Sequence, residues 1–263
     1  MIKEWLPDIF SSVYRASEAI MEVYRGDFEV MLKEDDSPVT RADKQSNKIL
    51  EDHLLTTGIK VVSEEGDKPN YELRKNAPIW LVDPLDGTKE FIKKNGEFCI
   101  CIALIEDQHP TFGLIASPVK KQLLFGGVGI PTAIIDYGEQ DIFSTAHQLE
   151  KVQQQTVNRV IYSRTHHTPN IDEIVDKMEL RHGKINRTLK GSALKFFDLV
   201  LDDAQVYLRL WPTMEWDIAA GHAIYESLGG EIIDFTTFAP LSYNKESLYN
   251  PKFIAKPKNL TLF

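Results

Sequence analysis

Two aspartates that follow an apolar run have the type and spacing expected of a chemical site. The sequence reads Ile79-Trp-Leu-Val-Asp-Pro-Leu-Asp-Gly-Thr88, so a strand-like segment ends in acids three positions apart. Proline fixes φ and lacks an N–H, so we expect the chain to leave the sheet there. The following glycine permits a close backbone approach to a ligand. Either dipeptide alone is typical of a solvated turn, but the whole string predicts carboxylates at a sheet edge.

Three further stretches place acids near the ends of elements. The strand-like segment 58–65 ends in Glu64 and Glu65, at the end of a strand where open sheets place ligand sites, with a solvated turn as the alternative. Thr40-Arg-Ala-Asp43 has the spacing of a capping box, which alone would explain both residues. Asp217 opens a helical pattern, where an aspartate caps free N–H groups. Each acid therefore has a structural explanation when it is considered alone.

Considered together, the acids indicate a metal site. Buried carboxylates repel one another and resist desolvation unless cations neutralise them. We find no histidine or thiol at ligand spacing, so oxygen-only ligation favours Mg²⁺, with Mn²⁺ as the alternative, over Zn²⁺. Two or more such ions about 3.5–4 Å apart commonly hydrolyse phosphate esters. The pattern therefore predicts a metal-dependent phosphate chemistry.

Composition restricts the class of partner. The chain has 263 residues, 43% of them hydrophobic and 26% charged, which is ordinary for a globular protein with a substantial core. A formal net charge of -9 argues against a nucleic-acid polymer or an anionic membrane surface as partner. We see no transmembrane segment or signal peptide and expect a cytoplasmic protein. The sequence leaves its oligomeric state open.

The two cysteines, Cys99 and Cys101, lie in a strand-like run on one face. We interpret them as buried, reduced, small apolar side chains rather than as metal or redox groups.

Periodicity predicts two halves, 1–145 and 146–263. The first half opens with helices over 3–25 and 40–57 and continues into an antiparallel meander, whereas the second half alternates strands with helices. The strands are predicted at 28–32, 58–65, 79–82, 98–106, 111–118, 122–128, 133–137, 157–162, 185–189, 205–210 and 231–234, and the later helices at 168–180, 192–201 and 216–229.

The acidic motifs also carry a family resemblance. Glu64-Glu65, Asp83-Pro-Leu-Asp-Gly-Thr88 and Trp216-Asp-Ile-Ala-Ala-Gly221 resemble, in order, the signatures of the lithium-sensitive, Mg²⁺-dependent phosphatases related to inositol monophosphatase. Further stretches are similar to the CysQ-type 3'(2'),5'-bisphosphate nucleotidases of that superfamily. These are Asp36-Ser-Pro-Val-Thr-Arg-Ala-Asp43, Trp80 to Phe98, Ser163-Arg-Thr-His166, Gly191-Ser-Ala-Leu-Lys-Phe196, Pro240-Leu-Ser-Tyr243 and Asn250-Pro-Lys-Phe253.

The resemblance implies a fold and a set of roles. The fold would be an α+β, αβαβα layered sandwich of the sugar-phosphatase type, with a large antiparallel sheet in the first half and a mixed sheet flanked by helices in the second. Glu64, Asp83 and the Leu85 carbonyl would hold one ion. A second ion would bind Asp83, Asp86 and Asp217, with two or three Mg²⁺ ions in all. Thr88 paired with Asp43 would activate the attacking water, which Glu64 also contacts, and the Gly87-Thr88 backbone would bind the scissile phosphate.

Substrate contacts are implied at a second group of positions: Ser163, Arg164, His166, Ser192 and Lys195. Each could instead be an ordinary surface or structural residue. Thr165 stands where serine is usual, and Ala193 replaces a second serine.

The resulting expectation is an enzyme that removes the 3'-phosphate of adenosine 3',5'-bisphosphate to give AMP in sulfur assimilation. It would also act on the related 3'-phosphoadenylyl sulfate, and it would be cytoplasmic or peripheral to the inner membrane. One alternative is an inositol or sugar monophosphatase of the same superfamily. Another is a non-catalytic nucleotide or metal sensor on the same scaffold.

Overall fold

The computed structural model describes residues 2–33, 37–137, 146–164 and 169–263. His166, Thr165 and Asp36 lie outside these residues. Among the described residues, no helix combines the length and apolar character needed to cross a membrane.

Two N-terminal helices cover one face of the first sheet. Helix α1 (Ile2–Arg25) buries an apolar stripe and packs on α2 (Arg41–Leu54). A short hairpin, β1 (Val30–Leu32) and β2 (Pro38–Thr40), joins them. Helix α2 continues into a 3₁₀ turn and stops at Gly58, whose φ of 76° suits glycine. Both predicted helices are therefore confirmed.

The first sheet has seven strands in the order β3-β4-β5-β6-β7-β8-β9. Strand β3 pairs with β4 in parallel, and every later neighbour is antiparallel, which confirms the predicted meander. The strands are β3 (Lys60–Ser63), β4 (Ile79–Asp86), β5 (Cys99–Glu106), β6 (His109–Ser117), β7 (Gln122–Gly127), β8 (Ile130–Asp136) and β9 (Ala146–Gln148). Two short helices, α3 (Tyr71–Arg74) and α4 (Thr88–Ile92), lie in its connections.

The second sheet has five strands in the order β11-β10-β12-β16-β14. Strands β10, β11 and β12 are mutually parallel, while β16 runs antiparallel to both of its neighbours. The elements are β10 (Arg159–Ser163), α5 (Pro169–His182), β11 (Asn186–Lys190), α6 (Lys195–Val200), β12 (Val206–Arg209), β13 (Thr213–Met214), α7 (Ala219–Ser227), β14 (Gly230–Asp234), β15 (Tyr249–Asn250) and β16 (Phe253–Pro257). The expected mixed sheet is confirmed.

Three hydrophobic clusters stack these elements into five layers. One cluster joins α1 and α2 to alternate residues of the first sheet, such as Trp80 and Ile102. A second joins the opposite face, including Leu81, to α6, α7 and the second sheet. The third packs α5 on the outer face of the second sheet through Val175. The expected layered α+β fold is therefore confirmed.

Strand β16 was missed by the sequence analysis, although it occupies an interior position of the second sheet. Its sequence, Phe253-Ile-Ala-Lys-Pro257, carries a lysine and ends in proline, so it lacks a clear strand pattern. The flanking strands β12 and β14 supply its hydrogen bonds. Tertiary pairing, rather than local pattern, determines this strand.

The helix predicted at 192–201 begins later, at Lys195, because Ser192 has a φ of 48° and cannot continue a right-handed helix. The helix predicted from 216 opens with a 3₁₀ turn, Glu215–Asp217, before α7.

Gly221→Ala tests the close contact between α7 and α6. A Cβ at Gly221 would lie 2.1 Å from Cδ2 of Phe196, and overpacking of this kind costs about 1–3 kcal/mol. We expect the unfolding temperature to fall, by about 2–4 °C per kcal/mol. Differential scanning calorimetry measures this shift.

Gly26→Ala is the matched control, because its Cβ would lie 3.8 Å from the Val23 carbonyl oxygen, an ordinary van der Waals contact. It should leave the unfolding temperature nearly unchanged. Equal unfolding temperatures for the two variants would contradict the tight contact at Gly221.

Candidate active site

Strand β4 places two aspartates in the site through an irregularity at its C-terminal end. Its register with β5 shifts between Asp83, which pairs with Cys101, and Asp86, which pairs with Cys99. The expectation that the chain leaves the sheet at Pro84 was wrong, because β4 continues to Asp86. The register shift accommodates a proline that cannot donate to the ladder. The Leu85 N–H instead donates to Asp83 Oδ1 at 3.0 Å.

Gly87 turns the chain from β4 into α4. Its φ is 98°, and a Cβ there would lie 2.8 Å from the carbonyl oxygen of Glu97, so both conformation and space require glycine. Thr88 follows as the first residue of α4. Its hydroxyl donates to Asp43 Oδ1 at 3.0 Å and lies 3.3 Å from the carbonyl oxygen of Leu85.

Asp43 has two structural tasks at once. Its Oδ2 accepts from the Thr40 N–H at 2.7 Å and the Thr40 hydroxyl at 2.6 Å, which completes a capping box for α2. Its Oδ1 accepts from Thr88 across 45 residues of sequence. Burial raises the pKa of Asp43, although the Thr40 and Thr88 donors act in the opposite direction. The capping interpretation and the pairing with Thr88 are therefore compatible.

Three carboxylates from distant parts of the chain converge beside this pair. Glu64 follows β3, Asp83 lies on β4 and Asp217 ends the 3₁₀ turn before α7, and oxygen atoms of all three lie within 4.8 Å of one another. Asp217 Oδ2 also accepts from the Met214 N–H at 2.8 Å. The fold thus brings the end of the first sheet and the start of α7 together.

Burial and mutual repulsion raise the pKa values of these acids. For Asp83, burial acts first, followed by the charges of Glu64, Asp86 and Asp217. Asp217 shows the same pattern, with Asp86 and Glu64 as the repelling charges. Burial also raises the pKa of Asp86 to about 6, although Lys195 and the Ala193 N–H oppose that shift. A divalent cation would relieve this repulsion, and the oxygen donors suit a hard ion.

A lysine from the β1–β2 connection forms ion pairs with the two glutamates that follow β3. Lys33 Nζ lies 2.8 Å from Glu64 Oε1 and also pairs with Glu65. Burial lowers the pKa of Lys33, but Glu64 and Glu65 outweigh it, and the pKa lies above its usual range.

The acids open into a cavity of about 250 Å³ between the two sheets. Glu64, Asp83, Asp86 and Asp217 line it, together with Leu85, Gly87 and Thr88. Residues of the second half line it too: Ser163, Gly191, Ser192, Ala193, Lys195, Tyr207 and Arg209. The Ala193 N–H donates to Asp86, so the two sets of residues are in direct contact. The cavity therefore combines a cluster of carboxylates with nearby cations.

Comparison with known proteins places this arrangement in a family. The inositol monophosphatase family model matches residues 3–260. The chain belongs to the inositol monophosphatase family. It is 39% identical over 244 residues to the 3'(2'),5'-bisphosphate nucleotidase CysQ of Salmonella typhimurium, covering 90% of this chain and 94% of that protein. It is 38% identical to the protein of the same name from Escherichia coli K12, with the same coverage.

Solved structures agree with this family assignment. The crystal structure of CysQ from Bacteroides thetaiotaomicron superposes with a TM-score of 0.83 at 36% identity, covering 94% of this chain and 95% of that one. Inositol monophosphatase II of Staphylococcus aureus, solved with inositol monophosphate, shares the fold with a TM-score of 0.71 at 18% identity, covering 98% and 90% of the two chains.

The cavity of this family member is lined by three of the five predicted substrate-contact residues: Ser163, Ser192 and Lys195. Arg164 does not line it, because its guanidinium pairs with Glu97 at 2.7 Å and bonds the Leu189 carbonyl oxygen. His166 falls outside the described residues, so its role stays a prediction.

Lys195 is a buried cation at the start of α6. Its Nζ bonds the backbone oxygens of Lys190 and Ser192 and lies 5.1 Å from the ring centroid of Tyr207. Burial lowers its pKa to about 8, although Asp86 opposes the shift. A buried ammonium beside a cavity favours an anionic group in that cavity.

Arg209 and Tyr207 line the cavity but were missed by the sequence analysis. Both lie on β12, where Val206 and Leu208 pack in the outer cluster, so strand alternation turns 207 and 209 toward the cavity. One feature of the sequence could have identified Arg209: it is a charged residue at the carboxyl end of a predicted strand, where ligand sites are common. Arg209 Nε is held by the Trp211 carbonyl oxygen at 3.1 Å.

The expectation that thiols are absent from ligand positions was also wrong. Cys99 Sγ lies 3.8 Å from Asp86 Oδ2, because the register shift of β4 sets Asp86 opposite Cys99. Both cysteines are buried and free, as expected.

The raised pKa values predict how stability depends on pH. Without metal, the folded chain holds protons on Asp83, Asp86 and Asp217 at pH values where the unfolded chain has lost them. Unfolding then releases protons, so stability falls as pH rises from about 4 through about 6 and above. We expect the unfolding temperature in EDTA to be higher at about pH 5.5 than at about pH 8.

Asp217→Asn should raise the unfolding temperature in EDTA at pH 8 and weaken its pH dependence, because one repelling charge is gone. Asp203→Asn, at an exposed position, is the control and should behave like wild type. Added Mg²⁺ should stabilise the wild type, by about 2.7 kcal/mol at 100 times its Kd. An unchanged pH dependence in Asp217→Asn would contradict the repulsion.

Proposed function

We propose that this chain is a Mg²⁺-dependent phosphatase that hydrolyses the 3'-phosphate of adenosine 3',5'-bisphosphate to AMP and phosphate. The observation that carries the proposal is one cavity in which clustered carboxylates and the Thr88–Asp43 pair face Lys195 and Arg209. The 39% identity with a 3'(2'),5'-bisphosphate nucleotidase over 90% of the chain supports it.

The metal ligands of this proposal are four acids and one carbonyl. Glu64, Asp83 and the Leu85 carbonyl would hold the first ion, and Asp83, Asp86 and Asp217 the second. Hard oxygen donors favour Mg²⁺, with Mn²⁺ as the alternative and two or three ions in all. When bound, these ions would neutralise the phosphate and stabilise the charge that develops on the departing oxygen.

The Thr88–Asp43 pair is suited to move a proton. Because the Thr88 hydroxyl donates to Asp43, its own lone pairs are available to accept a proton from the attacking water. Asp43, held by two donors from Thr40, is fixed as the final acceptor. Glu64 would contact the same water. Water then attacks phosphorus, the bond to the 3'-oxygen breaks, and that oxygen takes a proton from solvent.

The scissile phosphate has a binding position at the start of α4. We assign it to the peptide N–H groups of Gly87 and Thr88, since the missing side chain of Gly87 leaves the backbone accessible. In this proposal the same phosphate is also contacted by Glu64, Leu85, Asp86 and Asp217.

The second phosphate distinguishes a bisphosphate nucleotide from a monophosphate. Lys195 and Arg209 line the same cavity as the acids, and Ser163 and Ser192 add hydroxyl donors. A guanidinium binds phosphate with two parallel hydrogen bonds, whereas an ammonium acts as a point charge. Arg164 would join them only after leaving Glu97, and His166 stays a predicted contact.

The remaining parts of the proposal follow the family. We propose activity on 3'-phosphoadenylyl sulfate, a role in sulfur assimilation, sensitivity to lithium, and a cytoplasmic location that includes the cytoplasmic face of the inner membrane. We also propose that 1–145 and 146–263 act as two halves joined at the cavity.

Phosphate release from a substrate panel tests the function. We expect Mg²⁺-dependent hydrolysis of adenosine 3',5'-bisphosphate to exceed that of inositol monophosphate and of fructose bisphosphate by at least about tenfold in kcat/KM, which corresponds to about 1.4 kcal/mol. Asp217→Asn is the control and should abolish turnover. Preference for inositol monophosphate would replace the proposal with the family's other activity. Tight nucleotide binding without turnover would indicate a sensor.

Arg209→Ala tests the second phosphate subsite. We expect KM for adenosine 3',5'-bisphosphate to rise by about 10- to 100-fold, since a charged hydrogen bond is worth about 1.5–3 kcal/mol. The KM for adenosine 3'-monophosphate, which lacks the second phosphate, should change little. Arg209→Lys should recover part of the loss. Equal effects on both substrates would place Arg209 outside the subsite.

A further inference from the structure

Two buried thiols lie directly behind the acidic wall of the cavity. Cys99 and Cys101 face the same side of β5, and both are almost fully buried. The register shift of β4 sets Asp86 opposite Cys99. The two sulfur atoms are 3.9 Å apart, and Cys99 Sγ lies 3.8 Å from Asp86 Oδ2. The ligand atoms of all three residues lie within 4.8 Å of one another.

These separations fit tetrahedral coordination by sulfur and oxygen. Zinc binds thiolate sulfur at about 2.3 Å and carboxylate oxygen at about 2.0–2.2 Å. At a tetrahedral angle, two such sulfurs are about 3.8 Å apart, and a sulfur and an oxygen are about 3.6 Å apart. The observed distances of 3.9 and 3.8 Å differ from these values by only a few tenths of an ångström. An ion would therefore need little movement of β4 or β5.

We propose that Cys99, Cys101 and Asp86 form a binding site for a thiophilic divalent cation such as Zn²⁺. Soft thiolates select such an ion over Mg²⁺, although the site shares Asp86 with the oxygen-only acids. Each thiol loses one proton to solvent as its sulfur binds the ion. One divalent cation thus replaces two protons, and the net charge of the buried site does not change.

Occupation of this site inhibits the phosphatase, a consequence that rests on the proposed function. Asp86 Oδ2 already accepts from the Ala193 N–H and faces Cys99. An ion bound between the thiols and Asp86 competes with that N–H for the carboxylate. Its positive charge also weakens the attraction of the same carboxylate for the second Mg²⁺. Mg²⁺ therefore binds more weakly when the thiol site is filled.

Cobalt titration of the full, metal-free, reduced chain tests the site. We expect one Co²⁺ per chain to give a thiolate-to-cobalt charge-transfer band in the near ultraviolet, and Zn²⁺ but not excess Mg²⁺ should remove it. Cys99→Ala and Cys101→Ala should each lower the affinity for Co²⁺ by at least about tenfold. A thermal melt of each variant establishes that it is folded.

Asp217→Asn is the matched control, because it removes an acid of the oxygen-only set and leaves both thiols. Its charge-transfer band should equal that of the wild type. Cobalt bound without this band, as expected if the thiols only form hydrogen bonds, would overturn the site. A band that persists in the double variant Cys99→Ala/Cys101→Ala would overturn it too.

Enzyme assays test the inhibition separately. At saturating Mg²⁺, Zn²⁺ should inhibit wild type at concentrations at least about tenfold lower than those that inhibit Cys101→Ser, each relative to its own rate without Zn²⁺. Equal inhibition of both proteins would remove the inhibitory role. A chain that hydrolyses none of the substrates would refute the proposed function, while the cobalt band would still report on the thiol site.

Discussion

Repulsion among buried carboxylates is the constraint on which the rest of the site depends. Glu64, Asp83 and Asp217 bring oxygen atoms within 4.8 Å of one another, and burial and mutual charge raise the pKa values of Asp83 and Asp217. Without a cation, the fold must hold these groups together against their own electrostatics. The hydrophobic layers packed on both sides of the first sheet supply the free energy that offsets this repulsion, and bound cations would relieve the repulsion itself.

The acids of the site come from both halves of the chain. Glu64 follows β3, and Asp83 and Asp86 lie on β4, while Asp217 lies two residues before the start of α7. Helix α7 packs on β6 so closely that a Cβ at Gly113 would lie 2.0 Å from the Ala220 carbonyl oxygen. This contact fixes the distance from Asp217 to the other acids. The small residues of α7 therefore serve the site as well as the core.

Positive charges around the cavity differ in kind from one another. Lys33 pairs directly with Glu64 and Glu65 at its outer edge. Lys195 is buried, its Nζ donates to the backbone oxygens of Lys190 and Ser192, and its pKa falls to about 8. Arg209 is held by a backbone carbonyl that leaves part of its guanidinium to face the cavity. The second phosphate of the proposed substrate would complement the last two, whereas divalent cations would compete with the first.

The sequence alone predicted most of the longer elements and the acids, because periodicity and motif spacing are local properties of the chain. It predicted the meander, both N-terminal helices and the positions of Glu64, Asp83, Asp86 and Asp217. Tertiary structure decided what local pattern cannot encode. Pairing with β12 and β14 made 253–257 a strand, and alternation on β12 turned Arg209 toward the cavity. The ion pair with Glu97 holds Arg164 away from it. The motif from Asp83 to Thr88 identified its acids from the sequence. Only the register of β4 against β5 places Asp86 beside the two thiols, because the register of a strand depends on its partner.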